Sequence, residues 1–304
     1  MDPNRTRIAH ISDVHMLGTP PSEPRGRWSF RHRFLSFGRP LDPGARKRRF
    51  ALALAHARSA GADRVVISGD LTEVGLRTEF VALGESLHES GFAPERITLV
   101  PGNHDLYSSP DAWRWAIHGP LAAFAASSAT DTAGRIVECA GARLLPVDAT
   151  FHQPVTRSAG VLSPETLSAI ERRVSDPGLA DKPLIVVQHH PPFLRGTCVW
   201  QWIDGLVGSR RLMDMLGAFR HVFVMHGHLH TLVTRSIGDE QPRILGATAV
   251  VEDRDVPRVR MFDASHGQLR AIGRPTVASH PRRARQPAPA SFAPSVPPNL
   301  EAAL

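Results

Sequence analysis

Five short polar segments, each standing where a hydrophobic run ends, restrict the possible folds of this 304-residue chain more than any other feature. They consist mainly of carboxylate, amide and imidazole side chains, which are metal ligands. In chain order they are Asp13-Val14-His15, Gly69-Asp70, Gly102-Asn103-His104-Asp105, His189-His190 and Gly227-His228-Leu229-His230. Because sites in open α/β sheets form at the carboxyl ends of the strands, these segments can converge although they are remote in sequence. Together they supply enough donors for two adjacent metal ions.

The first hundred residues alternate between strand-like and helix-like patterns. Buried strands are predicted for residues 7–12, 65–68 and 97–100, and helices for residues 46–60 and 77–89. This alternation predicts right-handed βαβ crossovers and a largely parallel core sheet.

The second half of the chain repeats this logic less regularly. Further helices are predicted at 112–127, from Ser163-Pro164-Glu165 onward and near 209–216. Further strands are predicted near 135–139, 142–147, 183–188, 221–225, 231–237, 243–245 and 259–262.

The spacing inside the polar segments also carries information. Asp13 and His15, like His228 and His230, are two residues apart, and such residues on an extended chain point to the same side. Gly69 and Gly102 precede candidate ligands, where glycine lets the backbone turn sharply at a strand end.

The basic character of the chain is confined to two segments. Residues 17–49 hold nine lysines and arginines against two acidic residues, and residues 274–304 hold four against one. Since the whole chain carries +7, the remainder is mildly acidic, at −3. The sequence pI near 10.7 therefore indicates nucleic-acid binding only weakly, because no broad basic face is implied. We expect one domain over 1–273 with a basic insert at 17–49, and a disordered Pro/Ala-rich tail at 274–304.

Targeting signals and disulfides are not expected. No apolar run approaches the roughly 18 residues that span a bilayer, and the N-terminus passes into a predicted strand without a signal-peptide pattern. Cys139 and Cys198 are too few for a disulfide framework. We therefore expect buried or inert thiols and a cytoplasmic protein.

The ordered motifs, over roughly residues 7–263, resemble those of the calcineurin-like metallophosphoesterase superfamily. The resemblance implies a four-layer α/β/β/α sandwich with two central mixed β-sheets and the metal site at the carboxyl ends of the strands. It also implies that one ion is held by three residues, a second ion by three others, and that Asp70 bridges the two. The first set is Asp13, His15 and His230, and the second is Asn103, His189 and His228.

The expected chemistry is hydrolysis of phosphoesters. Two ions about 3.5–4 Å apart lower the pKa of a shared water, so that a bridging hydroxide exists at neutral pH and attacks phosphorus in line. In the family pattern His104 assists the leaving oxygen by protonation or hydrogen bonding, and Asp105 would orient His104. Mixed oxygen and nitrogen donors fit Mn, Fe, Zn or Co and do not choose among them.

The forms Gly102-Asn103-His104-Asp105 and His189-His190-Pro191-Pro192, with Gly160-Val161-Leu162, look like the branch that cleaves cyclic nucleotides and small phosphodiesters. The expected partner is therefore a small phosphoester substrate. A phosphomonoesterase (protein phosphatase or nucleotidase) is an alternative. So is a nuclease or phospholipid-headgroup hydrolase that uses the basic insert on nucleic acid or a membrane surface. A non-catalytic scaffold is disfavoured because no expected ligand is missing.

Several residues have competing interpretations. The pattern favours His189 over His190 as the metal ligand, with His190 facing substrate or packed in the core. His10 and His226 are interpreted as structural histidines, and Thr72 and Glu73 as helix caps.

Aromatic residues near the motifs leave alternatives open as well. Phe30, Phe34 and Phe37 have helical spacing within the insert, which would be a solvated basic loop, an active-site lid, or a contact for membrane or nucleic acid. Trp200, Trp202 and Asp204 would either shape the rim of the pocket or, for the tryptophans, pack in the core.

Overall fold

The computed structural model describes most of the chain. The described ranges are 3–18, 28–36, 38–130, 133–194, 196–238, 241–254 and 256–273. The expected tail at 274–304 lies outside the described residues, as do residues 19–27 and Phe37 of the expected insert.

Helices and strands alternate along the described chain. The α-helices are α1 (Phe30–Leu35), α2 (Pro43–Ser59), α3 (Arg77–His88), α4 (Ala112–His118), α5 (Pro164–Val174), α6 (Cys198–Asp204) and α7 (Ser209–Ala218). The strands are β1 (Thr6–Ile11), β2 (Arg64–Ser68), β3 (Ile97–Val100), β4 (Val137–Glu138), β5 (Arg143–Pro146), β6 (Gly160–Val161), β7 (Leu184–Val187), β8 (Leu206–Val207), β9 (Val222–His226), β10 (Val233–Arg235), β11 (Ile244–Gly246), β12 (Arg260–Ser265) and β13 (Gln268–Ile272).

Two mixed sheets form the centre of the molecule. The five-stranded sheet has the order β13-β12-β1-β2-β3, in which β1, β2 and β3 are parallel and β12 is antiparallel to β1. The six-stranded sheet has the order β10-β11-β9-β7-β5-β4, with a parallel core of β5, β7, β9 and β11. A short parallel pair, β6 and β8, stands apart from both.

Three buried clusters separate four layers. On β1, Ile8 lies in the cluster between the two sheets, whereas its neighbour Ala9 lies in the cluster under the helices. That outer cluster includes Phe50 of α2 and Phe80 of α3. A third cluster joins the six-stranded sheet to α5 and α7, for example through Ile170. Because side chains alternate between the faces of a strand, each sheet buries both faces. The expected α/β/β/α sandwich is confirmed.

The helix starts follow local capping rules. The Ser163 hydroxyl accepts a hydrogen bond from the Thr166 amide at 3.1 Å, with proline in the first turn of α5. Asp42 caps α2 in the same way, so this helix begins at Pro43 rather than near residue 46. The last part of the expected basic insert therefore belongs to a core helix.

The helix expected at 112–127 is wrong in its length. α4 ends at His118, and only a 3-10 turn covers Ala122–Ser127. Gly119 and Pro120 separate the two, because proline fixes its own φ and lacks an amide hydrogen for the helix. The elements α6, β6, β8 and β13 carry no clear periodic pattern and were not predicted.

Two further features bear on the sequence expectations. None of the helices in the described ranges is both long and apolar enough to cross a membrane. The two cysteines are free thiols, of which Cys139 is half-buried and Cys198 is exposed.

Candidate metal centre

The polar segments converge where the carboxyl ends of the central strands of the two sheets meet. Asp13, Asp70 and Asn103 follow the neighbouring parallel strands β1, β2 and β3. His189 and His228 follow β7 and β9, which are neighbours in the other sheet. The His228 amide donates to Asp13 Oδ2 at 3.2 Å, which joins the two edges directly. The topology thus joins residues that are 215 positions apart in the sequence.

The candidate ligands lie deep in this junction. Asp13, His15, Asp70, Asn103 and His189 are at most 2 % exposed. One donor atom each from Asp13, His15 and His230 lies within 4.8 Å of the other two, and the same holds for Asp13, Asp70 and His189. Carboxylates this deeply buried require compensation by opposite charge. The two groups share Asp13, so they form one continuous cluster.

The backbone at these positions is unusual. Among the described residues, five of the seven candidate ligands have a left-handed conformation that non-glycine residues rarely adopt. They are Asp13 (φ 53°), His15 (φ 49°), Asp70 (φ 47°), His228 (φ 68°) and His230 (φ 55°). Each such residue costs about 1–3 kcal/mol, and such strain concentrates at functional sites.

Glycines allow the segments to approach each other. A Cβ atom on Gly69 would lie 2.3 Å from the His189 ring, and one on Gly227 would lie 1.8 Å from Ser12 Oγ. Gly69 also has φ 91°, which agrees with the sharp turn expected there. Gly102 differs, because its backbone is extended (φ −114°) and its Cβ would lie 2.2 Å from Asp70 Oδ1. Gly102 therefore allows the loop after β3 to approach Asp70 closely, and it does not form the sharp turn that was expected.

Distances between donor atoms indicate which pairs of side chains could bind the same ion. Two atoms that are about 2.1 Å from one ion lie roughly 3.0–3.4 Å apart in octahedral or tetrahedral coordination. His230 Nε2 lies 3.2 Å from Asp13 Oδ1, and His189 Nε2 lies 3.3 Å from Asp70 Oδ1. His15 Nε2 lies 3.7 Å from Asp70 Oδ2. The first two separations suit pairs of ligands on a shared ion, whereas the His15–Asp70 distance is longer than this range.

The other nitrogen of each ring faces an oxygen acceptor of the protein. His189 Nδ1 lies 2.9 Å from the Ser68 carbonyl, and His230 Nδ1 lies 2.6 Å from Glu252 Oε1. His228 Nε2 lies 2.5 Å from Asp204 Oδ1. Metal-bound histidines usually donate their second N–H to such acceptors, which fixes the tautomer and the ring orientation.

Buried atoms without partners mark the inner surface. Among the described residues, Asp13 Oδ1, His15 Nε2, Asn103 Oδ1 and His189 Nε2 are buried and accept or donate no hydrogen bond. Asn103 illustrates the pattern: its amide nitrogen donates to the Tyr107 hydroxyl at 2.9 Å, which leaves its oxygen for another partner. Unmade hydrogen bonds cost about 1–3 kcal/mol per buried group. This donor set fits a pair of metal ions.

The electrostatics of the cluster favour cations. Burial acts to lower the pKa of His230, but Asp13 and Glu252 outweigh it and raise the pKa to about 10. Burial also acts against the charged form of His189, yet Asp70 raises its pKa to about 9. Burial opposes ionisation of Asp70, but His189 and His104 hold its pKa well below the usual value. Two carboxylates therefore attract positive charge, either protons or metal ions.

His104 lies at the edge of this cluster. Its Nδ1 donates to the Glu73 carbonyl at 2.7 Å, and its Nε2 faces Asp70 Oδ2 at 3.8 Å. Its side chain is 12 % exposed, which leaves it accessible to a ligand in the site.

Asp105 contacts backbone amides and the Thr72 hydroxyl rather than the His104 ring. Its carboxylate accepts hydrogen bonds from the amides of Gly102, Leu71 and Thr72, at 2.8–3.1 Å. Burial and the charge of Asp70 raise its pKa to about 7, against these donors. The expectation that Asp105 orients His104 therefore finds no hydrogen bond among the described residues. Asp105 instead fastens the loop after β2 to the loop after β3.

The two adjacent histidines differ in surroundings. His189 Nε2 faces Asp70, as described above. His190 Nε2 lies 2.9 Å from the Ser158 carbonyl, and its Nδ1 lies against Gly160, where a Cβ would be 2.4 Å away. His190 Nδ1 has no hydrogen-bond partner among the described residues, but it lies against Gly160, whereas His189 Nε2 faces Asp70, which supports His189 as the ligand. His190 still belongs to a three-histidine group with His189 and His228.

The sequence analysis did not identify Tyr107 and Glu252 as residues near the site, and it gave Glu73 and Asp204 other roles, as a cap and as part of the pocket rim. Glu73 is not a helix cap. It is fully buried, with Oε2 3.6 Å from His15 Nδ1, and it pairs with Arg39 at 3.1 Å and Arg46 at 3.3 Å. The actual cap of α3 is Glu79, which accepts from the Leu76 amide at 3.0 Å. The only feature of the local sequence that could have indicated a role for Glu73 at the site is its position three residues after Asp70.

Exposed aromatic residues occur on α6 and α1. Trp200 and Trp202 of α6 are each 58 % exposed, so they do not pack in the core. Phe30 and Phe34 of α1 stack with ring centroids 6.0 Å apart, and they are 78 % and 47 % exposed. α1 is fixed to the body by His32, whose Nε2 lies 3.1 Å from Glu79 Oε1. The described part of the insert is therefore not a freely solvated loop.

Comparison with known proteins agrees with this geometry. A family model described as calcineurin-like phosphoesterase matches residues 6–232. A probable glycerophosphodiester phosphodiesterase of Arcobacter nitrofigilis is 24% identical over 177 residues, which cover 57% of this chain and 58% of that protein. A probable cyclic nucleotide phosphodiesterase of Synechococcus is 24% identical over 263 residues, which cover 83% of each chain. The match thus spans little more than half the length of the first relative.

Solved structures share the fold. A dimetal phosphatase from Danio rerio superposes with a TM-score of 0.57 at 12% identity, covering 87% of this chain and 94% of that one. A phosphopantetheinyl hydrolase from Mycobacterium tuberculosis gives a TM-score of 0.50 at 13% identity, covering 91% and 100%. At these identities the likeness concerns the architecture alone.

Proposed function

Because the chain belongs to the calcineurin-like phosphoesterase family, we propose that it is a dinuclear metal-dependent hydrolase of phosphoesters. The single observation that supports this most is the set of buried, unpartnered donor atoms where the two sheets meet. Asp13, His15 and His230 would hold one ion. Asn103, His189 and His228 would hold the other, and Asp70 would contact both.

The chain's own residues prepare this site for catalysis. When bound, a pair of divalent ions would supply a nucleophile by acidifying water and would neutralise charge on the phosphoryl oxygens. Asp70 lies between both ligand groups, with Oδ1 toward His189 and Oδ2 toward His15. The hydrogen bonds to Ser68, Glu252 and Asp204 hold the imidazoles in place, so little reorganisation accompanies the reaction.

His104 is the proposed proton donor to the leaving oxygen. Because Nδ1 is bonded to the Glu73 carbonyl, Nε2 is the nitrogen available to a substrate. A protonated Nε2 would donate its hydrogen to the departing alkoxide, which matters most for esters whose alcohol is a poor leaving group. Asp105 would act only through the loops that it fastens together.

The proposed substrate is a small phosphodiester, with a cyclic nucleotide-type ester preferred. Both relatives are named as probable phosphodiesterases, which supports this class. A cavity of about 390 Å³ also adjoins the site, because Asp204 both lines it and contacts His228. Its walls are Phe193, Leu194, Gly196, Trp200, Asp204 and Arg235. Pockets of this size accept small organic groups. A cytoplasmic location and Mn, Fe, Zn or Co as the metal remain part of the proposal.

Hydrolysis of chromogenic esters tests the proposal. Manganese-loaded protein should cleave bis(p-nitrophenyl) phosphate faster than p-nitrophenyl phosphate, and Asp13→Ala should reduce this rate more than about 100-fold. Asp214→Ala, on the exposed face of α7, is the matched control and should retain the wild-type rate.

The outcomes separate the candidate activities. A preference for the monoester would show that the proposed activity should be a phosphomonoesterase rather than a phosphodiesterase. Cleavage confined to nucleic acid or phospholipid vesicles would favour a polyanion or headgroup hydrolase. No hydrolysis of any phosphoester by metal-loaded protein would refute the proposal.

A further inference from the structure

Asp204 directly contacts His228, a candidate ligand of the metal centre, although it belongs to none of the five polar segments. It is the last residue of α6, and its Oδ1 lies 2.5 Å from His228 Nε2. The His228 side chain is 6 % exposed and that of Asp204 is 23 % exposed, so the contact is largely shielded from water.

The length of this contact identifies it as a hydrogen bond. Ligand atoms of one ion lie roughly 3.0–3.4 Å apart, as the His230–Asp13 and His189–Asp70 pairs do. At 2.5 Å the Asp204–His228 pair is too close to share an ion between the two atoms. A carboxylate can only accept here, so His228 Nε2 carries the proton and donates it. The remaining nitrogen, Nδ1, is then unprotonated in the neutral ring.

The Asp204 carboxylate is itself held in place. The Ser158 hydroxyl donates to Asp204 Oδ1 at 2.9 Å, and the Ser158 amide donates to the Ile203 carbonyl at 2.8 Å. Arg157 Nε donates to the Trp202 carbonyl at 2.9 Å, and its guanidinium lies 4.5 Å from the centre of the Trp202 ring. These contacts anchor the carboxyl end of α6 to the loop before β6. The position of Asp204 is therefore set by the body of the protein.

We propose that Asp204 is a positioning residue, which holds His228 in the Nε2–H tautomer and thereby presents Nδ1 to the ion shared with Asn103 and His189. The inference rests on the proposed dinuclear site, since it concerns one ligand of that site. It assigns α6 a role in metal binding although α6 carries no ligand. His228 would thus differ from His189 and His230. In those two residues Nδ1 bonds to a protein oxygen, and Nε2 is the nitrogen that faces the site.

Metal titration of the full chain tests the proposal without relying on activity. Metal-free protein is titrated with Mn²⁺, and free Mn²⁺ is followed by electron paramagnetic resonance. Asp204→Ala should bind one ion with wild-type affinity and the second about 10–100-fold more weakly. Asp204→Asn keeps an oxygen acceptor for Nε2–H and should recover most of that loss. Asp214→Ala serves as the control and should bind both ions like the wild type.

The tautomer is measured separately on wild-type protein, which removes dependence on the folding of any variant. In protein labelled with ¹⁵N-histidine and loaded with Zn²⁺, His228 should show a protonated Nε2 and a metal-bound Nδ1. A proton on Nδ1, or unchanged affinity for the second ion in Asp204→Ala, would overturn the proposal. Equal weakening of both ions together with a lower melting temperature would also overturn it, by assigning Asp204 a purely structural role.

The two proposals fail in different ways. Protein that binds two ions with the expected His228 tautomer, yet cleaves no phosphoester, would refute the hydrolase and leave the role of Asp204 intact. An active enzyme whose second ion is indifferent to Asp204→Ala would do the reverse.

Discussion

At the scale of single residues, the metal centre depends on which nitrogen of each imidazole carries the proton. His189, His228 and His230 each direct one nitrogen to a carbonyl or carboxylate of the protein. The other nitrogens of His230 and His189 face Asp13 and Asp70, which supply negative charge in the interior of the site. Without metal this charge retains protons, and metal ions must compete with them.

Proton release on metal binding follows from this competition. His230 and His189, with pKa values raised to about 10 and 9, are protonated at pH 7 in metal-free protein. Their ligating nitrogens must lose that proton to bind an ion, so affinity should rise with pH up to about 9–10. Calorimetric titration in two buffers of different ionisation enthalpy should reveal one to two protons released per chain at pH 7. Metal binding without proton release would contradict this assignment.

Replacement of His104 should separate proton donation from metal binding. His104→Ala should lower the turnover of an alkyl phosphodiester about 10²- to 10⁴-fold, because the leaving alkoxide loses its proton donor. The loss should be smaller for a p-nitrophenyl ester, whose leaving group needs no proton. Metal content measured by mass spectrometry should stay at the wild-type value. His56→Ala, at an exposed site on α2, is the control; equal losses for both esters would assign His104 another role.

At the scale of elements, the seam between the two sheets sets the site. Gly227 lies beside Ser12 and Asp13 of the other sheet, and a Cβ there would stand 1.8 Å from Ser12 Oγ and 2.7 Å from Asp13 Oδ2. Gly227→Ala should therefore push the loop after β9 away from β1, destabilising the protein by about 1–3 kcal/mol. Urea denaturation measures this loss, and metal titration should show weaker binding. Gly217→Ala is the control, since its Cβ meets no atom within 4 Å.

The link between α2 and the site rests on a buried ion pair. Glu73 lies between Arg46, which is fully buried, and His15. Burial lowers the pKa of Arg46 to about 10 even though Glu73 opposes the shift, so Arg46 still requires a partner at neutral pH. Glu73→Gln should destabilise the protein by about 3 kcal/mol in urea, because it leaves a buried cation unpaired. Glu85→Gln, on the exposed face of α3, should change stability by less than about 0.5 kcal/mol. Similar values for both variants would refute the role of Glu73.

The sequence reveals the ligands of the site better than the residues that support them. Asp13, Asp70 and Asn103 are recognisable because each follows a short hydrophobic run and is itself a metal donor. Glu252 is not recognisable, and the sequence indicates Asp204 only as a residue of the pocket rim. Their contacts with His228 and His230 join residues that are 24 and 22 positions apart. Only the folded chain brings such pairs together.

The same limit applies to secondary structure. The strands β1, β2, β3, β7 and β9 are predictable because both of their faces are buried, which produces continuous apolar runs. The seven-residue α6 has most of its large apolar side chains exposed and buries none of its residues, so no periodicity marks it. The buried Arg46 made the start of α2 look like a solvated basic segment.

At the scale of the whole molecule, two sheets packed face to face place five strand ends at one edge. Helices cover both outer faces, so this edge is where polar side chains from both sheets can meet. The insert and the tail carry the excess positive charge of the chain, while the remainder is mildly acidic. The body thus concentrates negative charge at the centre through Asp13 and Asp70, and the arginine-rich segment lies beside it through Arg39 and Arg46.

Anomalous diffraction from crystals of manganese-loaded protein would locate the ions themselves. Two peaks per chain are expected, about 3.5–4 Å apart, with Asp70 between them; one should lie against Asp13, His15 and His230, the other against Asn103, His189 and His228. Crystals of Asp70→Ala should lose at least one peak. Crystals of protein that is fully loaded with manganese but shows no peak at the junction of the two sheets would contradict a paired metal centre. A single peak remote from Asp70 would contradict it as well.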